Sequence, residues 1–193
     1  MRQVITYGFF GEDEAQRNFL EKYLYRQYPD TFIDDEDERW QFKAGNGPQV
    51  DKLLPEALRK RALLGLDILF VGRDIDTENK PTIKIRQERY ASTCKDHPAM
   101  LLLPVQCIEY WLWYIKRHQE EPGKKTPLES QPRLVAKQAV YAGTKLVAKQ
   151  LAIANDILTN LDVSWLESRS ESFRHFHQQV TAFLNQYNKT MEP

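Results

Sequence analysis

Cysteine is nearly absent: the 193-residue chain has two, Cys94 and Cys107, with no Cys-x-x-Cys pair. That excludes a disulfide framework and a cysteine-rich structural zinc site, and it fits a reduced, intracellular protein. Charge of one sign is missing as well. The 27 Lys and Arg balance 27 Asp and Glu, so no global basic field announces nucleic acid. No apolar run approaches the roughly 20 residues that span a bilayer. The stretch MRQVITYGFF is too short and too polar for a signal peptide. The expected location is the cytoplasm. No Gly-x-x-x-x-Gly-Lys-Ser/Thr loop occurs, which argues against ATP hydrolysis by this chain.

What is present is an ordinary globular composition, 41% hydrophobic and 28% charged. The charge is unevenly placed. Residues 12–38 carry ten acids and three bases, whereas residues 114–150 carry eight bases and three acids. QVITYGFF (Gln3 to Phe10) is β-branched and aromatic, as a strand buried on both faces should be. Ala15 to Tyr28 spaces apolar residues as a helix does and ends at Pro29. Asp34 to Glu38 reads as a solvated acidic loop, Trp40 to Lys43 as a short strand, and Gly45 to Pro48 as a turn. Val50 to Leu64 is helical, with a restart expected at Pro55 and a stop at Gly65. Leu66 to Val71 is a strand, a helix runs from Pro81 through Tyr90, Ala99 to Leu103 is a strand, and Val105 to Lys116 is a helix. After a proline-bearing loop, Glu120 to Pro132, the chain becomes helical over Leu134 to Leu161, with a break expected at Gly143. A last helix covers Ser170 to Tyr187. LVAKQ occurs twice, at 134–138 and 146–150, too few copies for a repeat architecture.

This alternation predicts an α/β fold with a mostly parallel, Rossmann-like central sheet flanked by helices. Residues 1–118 form the α/β domain and 119–193 a helical extension packed on it. Ligands in such sheets bind beyond the carboxyl ends of the strands. Two places qualify: Gly11-Glu12-Asp13-Glu14 and Arg73-Asp74-Ile75-Asp76. On an extended backbone Asp74 and Asp76 point the same way. Two close carboxylates repel unless a positive group lies between them. A divalent cation supplies one; a solvated turn needs none. Glu109, in an apolar helix, either ligates a cation or pairs with a nearby base. Arg73 is a candidate partner for these acids. His175 and His177, two apart, cannot form a helical metal pair. Trp111, Trp113 and Tyr114 read as core.

An acid after the first strand and an Asp-x-Asp after a later one resemble the Toprim domain of topoisomerases, primases and OLD-type nucleases. The carrying stretches are YGFFGEDEAQRNFL (Tyr7 to Leu20), LFVGRDIDTE (Leu69 to Glu78) and LLPVQCIEYWLWYI (Leu102 to Ile115), within residues 3–117. The chain looks most like small stand-alone bacterial Toprim-like proteins paired with ATPases in mobile-element or phage-defence loci. The resemblance implies that Glu12 takes the place of the Toprim glutamate, that Asp74 and Asp76 form the Asp-x-Asp, and that Glu109 is the downstream acid. It implies Mg²⁺ or Mn²⁺ held by Glu12, Asp74 and Asp76, and a separate ATPase as partner. Asp13 departs from the pattern, standing where the family usually has glycine. A shifted register would put Phe10 at the glutamate position, with Glu14 the nearest substitute.

Hard oxygen ligands suit Mg²⁺ or Mn²⁺, and such a cation polarises phosphate oxygens. The chain is too short for the apparatus of a topoisomerase or primase, so metal-dependent phosphodiester hydrolysis is the reaction expected. Lys116, Arg117, Lys124, Lys125, Arg133, Lys137, Lys145 and Lys149 offer a basic track for DNA or RNA. Lys137, Lys145 and Lys149 are its candidate contacts. The competing expectations are an inactive Toprim-like interaction module and, more distantly, a haloacid-type phosphohydrolase.

Overall fold

In a computed structural model, which describes residues 4–35 and 40–190, the chain is α/β. Four parallel strands, β1 (Ile5–Gly11), β2 (Phe32–Asp34), β3 (Ile68–Gly72) and β4 (Ala99–Leu102), lie in the order β2-β1-β3-β4. The sheet is thus all parallel and Rossmann-like, as the alternation predicted. Between the strands run α1 (Glu14–Gln27), α2 (Gly47–Leu64) and α3 (Lys80–Cys94). After β4 come α4 (Glu109–Glu120), α5 (Arg133–Tyr141), α6 (Val147–Leu158), α7 (Val163–Arg169) and α8 (Glu171–Thr190).

Strand alternation divides the apolar residues between two layers. Ile5, Tyr7 and Phe9 of β1, Ile68 and Phe70 of β3, and Met100 and Leu102 of β4 face one layer, with α1 and α4–α8. Phe10, Leu69 and Val71 face the other, with α2, α3 and Trp40. The first layer is strongly aromatic. Phe19 lies 5.0 Å from Trp111, Trp111 lies 5.3 Å from Phe173, and Tyr23 lies 5.2 Å from Phe176. The helical extension therefore shares one core with the α/β domain, and Trp111 and Tyr114 are core residues. α1, which follows β1, packs on one face, and α2, which follows β2, packs on the other. β1 and β3, the adjoining strands where the order reverses, consequently open a crevice at their carboxyl ends.

The elements follow local chemistry. Asp13 caps α1, its carboxylate accepting the Gln16 amide at 2.9 Å. Asn46 caps α2 in the same way for Gln49 at 3.0 Å, and Gly65 stops α2 at φ 67°. α2 does not restart at Pro55 but runs through it. Pro55 is exposed, while Val50, Leu54, Ala57 and Leu58 hold the buried face on both sides of it.

Other expectations need correction. Trp40 to Lys43 is not a strand. The Trp40 indole is buried and donates to the Phe9 carbonyl at 2.7 Å, which anchors the segment against the sheet by a side chain instead of a ladder. Asp34 ends β2 and Asp35 is buried, so this part of the acidic run is not a solvated loop. Gln3 and the acids at 36–38 lie outside the described residues. α4 begins at Glu109, not Val105, because Gln106 takes φ 60°. The 134–161 helix is broken as expected at Gly143, with Ala142 also left-handed. α7 was not anticipated.

Phe173 sits fully buried between Phe19 and Trp111. Phe173→Ala is expected to cost about 3–5 kcal/mol, seen as a lower midpoint in a single cooperative urea transition. Two separate transitions in the wild type would mean that the extension folds apart from the sheet.

Candidate metal centre

Backbone pairing builds the site. Gly11 of β1 stands opposite Gly72 of β3, so the residues that follow each strand emerge side by side. Glu12 Oε1 accepts the Asp74 backbone N–H at 3.1 Å. Asp74 is fully buried. Its Oδ1 accepts the Gln16 amide at 2.8 Å and the Ile108 backbone N–H at 3.2 Å, at the start of α4. That helix end favours negative charge. Gln16 also reaches Glu12 Oε1 at 3.3 Å. Glycine at 72 is what allows this, since a Cβ there would lie 2.5 Å from Gln16 Oε1.

Two arginines meet the acids. Arg73 Nη1 donates to Glu12 Oε2 at 3.1 Å, to Asp76 Oδ2 at 2.6 Å and to the Asp74 carbonyl. Asp51 lies 3.7 Å from its Nε. Arg133, at the start of α5, spans the Asp-x-Asp: Nη2 donates to Asp74 Oδ2 at 2.8 Å and Nη1 to Asp76 Oδ1. Burial alone would lower the Arg133 guanidinium, but Asp74 and the surrounding negative groups outweigh it and raise its pKa. Lys137, one turn further along α5, lies 3.6 Å from Glu109 Oε1. The other Glu109 oxygen is buried and accepts no hydrogen bond.

Ligand atoms converge in two trios, each within 4.8 Å: Glu12, Asp13 and Asp74, and Asp74, Cys107 and Glu109. Asp74 belongs to both. Asp76 belongs to neither. Its φ of 55° breaks the extended geometry that would have aimed it alongside Asp74. Instead it anchors the two arginines. Glu14 is exposed and Phe10 is core, while Glu12 is the acid of this turn that accepts the Asp74 N–H. The first trio is all oxygen, the donor set a hard divalent cation takes. A cleft of about 330 Å³ adjoins it, lined among others by Glu12, Asp13, Glu109, Lys137 and Tyr141.

The basic track is divided. Arg133 and Lys137 enter the site. Lys116 donates to the Ala139 carbonyl at 2.7 Å, Arg117 is buried against the Thr126 carbonyl, and Lys124 pairs with Glu121 at 2.9 Å. Lys125, Lys145 and Lys149 are exposed. His118, without an evident partner in the sequence, stacks on Trp165 at 4.1 Å. His177 accepts or donates to the Tyr23 hydroxyl at 2.7 Å, at the core edge.

Gln16, Arg133 and Cys107 are the site residues that motif reading passed over. Gln16 had a signal: an amide four residues after Glu12 in a helix that otherwise buries apolar groups. Arg133 had none, because 59 residues separate it from Asp74. No protein-family model, curated protein or solved structure matches the chain.

Asp74 is held well above the ordinary 3.8, first by desolvation and then by Glu12, Asp13 and Glu109, against the pull of Arg133. Glu12 is raised too, chiefly by desolvation, with Arg73 opposing. A carboxyl raised on folding keeps protons that the unfolded chain releases. Its stabilising contribution is complete below the unfolded pKa and lost as pH climbs through the folded one. Asp74→Asn removes that loss. In chelator-treated buffer, urea midpoints of the wild type should fall relative to Asp74→Asn as pH rises from about 3.8 toward neutrality. Parallel pH profiles would show that Asp74 is not strained.

Proposed function

We propose that the chain is a metal-dependent phosphodiesterase of nuclease type, with a Toprim-like site acting on DNA or RNA. The observation that carries this reading is the meeting of Glu12 and Asp74 at the carboxyl ends of adjoining strands. There a fully buried carboxylate faces a second acid, with the cleft beside them. Glu12, Asp74 and Asp13 would hold Mg²⁺ or Mn²⁺. When bound, such a cation neutralises phosphate charge and lowers the pKa of water. Gln16 holds Glu12 and Asp74 in register by donating to both. Arg73 fixes the outer oxygen of Glu12 and, with Asp76, keeps the turn closed. Lys137 faces the same cleft and supplies positive charge to a phosphate entering it. Exposed Lys145 and Lys149, on the following segment, extend that charge along a polynucleotide. A separate ATPase partner accords with the Toprim-like group that the motifs resemble.

One observation favours a second reading, an inactive interaction module. Arg133 already neutralises Asp74 and Asp76, so a guanidinium can stand permanently where a cation would. The two readings differ for Arg133→Ala. If a cation and Arg133 compete for Asp74, removing the guanidinium tightens Mg²⁺ or Mn²⁺ binding.

Calorimetry should find Mn²⁺ binding to the wild type, weakened at least about tenfold, or about 1.4 kcal/mol, by Asp74→Asn and by Glu12→Gln. Arg133→Ala should bind more tightly than wild type. Mn²⁺-dependent cleavage of single- or double-stranded DNA or RNA should vanish in Asp74→Asn. A folded wild type and a folded Arg133→Ala that both ignore the cation would leave the interaction module.

A further inference from the structure

The chain's two cysteines are both free and both buried, yet their surroundings differ. Cys94 lies in the apolar layer under α2 and α3, and burial alone raises its thiol to about 11. It is a small core hydrophobe. Cys107 is fully buried in the turn before α4, but its thiol faces Asp74 and Glu109. Burial pushes its pKa up first, and the two carboxylates push it further. Cys107 also belongs to the buried core of its layer, yet its thiol, unlike that of Cys94, lies beside two carboxylates.

The Cys107 sulfur and one oxygen each of Asp74 and Glu109 lie within 4.8 Å of one another. Glu109 is 4% exposed, and its Oε2 accepts nothing although it is buried. A buried carboxylate oxygen without a donor is costly, and a cation in the trio would remove that cost. The turn is pinned for this placement. Cys107 N–H donates to the Val105 carbonyl at 2.8 Å across Gln106 at φ 60°, and the Gln106 carbonyl accepts Asp76 N–H at 3.1 Å. Gln106 Nε2 in turn donates to the Gln131 carbonyl at 3.1 Å.

We propose that Cys107, Asp74 and Glu109 form a second cation site, of mixed sulfur and oxygen donors, that takes a zinc-class transition metal in preference to magnesium. Sulfur selects the cation: thiolate favours Zn²⁺ and its neighbours, whereas Mg²⁺ keeps oxygen and water. Three protein ligands leave one tetrahedral position open. Of the three, Glu109 lines the cleft, the side from which an ion would reach the trio. With Zn–S near 2.3 Å and Zn–O near 2.1 Å, the trio has to close by at most about 1 Å onto the ion. On binding, the Cys107 S–H bond would break, its proton would go to bulk water, and a metal–sulfur bond would form. Lys137 is the group that yields, since it now lies beside Glu109 Oε1.

This deepens the functional reading, because Asp74 serves both trios, and cobalt separates the two. Co²⁺ added to the reduced, full-length chain should produce a near-ultraviolet thiolate-to-cobalt charge-transfer band. Cys107→Ser should lose the band and keep Mn²⁺ binding at Glu12. Cys94→Ser and Glu12→Gln should keep the band. Glu109→Gln should weaken it. Circular dichroism on each variant establishes folding. Manganese binding without a cobalt–thiolate band in the wild type overturns this proposal alone. A band without Mn²⁺ binding supports it and sinks the Glu12 site. A band surviving in Cys107→Ser overturns it as well, since the sulfur would then be Cys94.

Discussion

The arrangement depends on one constraint: a carboxylate, Asp74, is held in the protein interior at the place where two parallel strands end. Burial makes its charge expensive, and three donors answer that cost. The Ile108 N–H and the Gln16 amide donate to one oxygen, and the Arg133 guanidinium to the other. Removing charge from water is repaid only by well-placed partners. Here the partners come from α1, the start of α4 and α5, elements far apart in the chain. Asp74 thus ties the sheet to the helices behind it.

Glu12 adds a second acid to the same place, and Glu109 a third. Desolvation first, and then repulsion from Glu12, Asp13 and Glu109, raise Asp74, and Arg133 relieves it only in part. Five acids, Glu12, Asp13, Asp74, Asp76 and Glu109, stand there against three bases, Arg73, Arg133 and Lys137. Arg133 is part-exposed and enters from the start of a helix.

Asp76 illustrates how a motif divides its labour. The two aspartates of Asp-Ile-Asp read as a pair, and on a straight strand they would be one. β3 ends at Gly72, however, and Asp76 turns to a left-handed backbone. Ile75 N–H goes to the Pro104 carbonyl and Asp76 N–H to that of Gln106. The ladder to the segment after β4 is prolonged past the strand, and that pairing aims Asp76 at the arginines. One aspartate faces the interior and the other holds the counter-charges in place.

Local chemistry in the sequence determined most of the fold. Apolar runs marked β1, β3 and β4. Gly65 and Gly143 as stops marked helix ends, because left-handed turns act within a few residues. The strand-end rule singled out Glu12 and Asp74. Tertiary structure alone decided the rest. β2 and Trp40 are held by long-range burial, and α2 passes through Pro55 because its packed face outweighs one lost hydrogen bond. Arg133, Gln16 and Cys107 join the site only when β1 and β3 pair and α5 folds back. A side chain's partner across 59 residues is set by packing, and packing has no local signature.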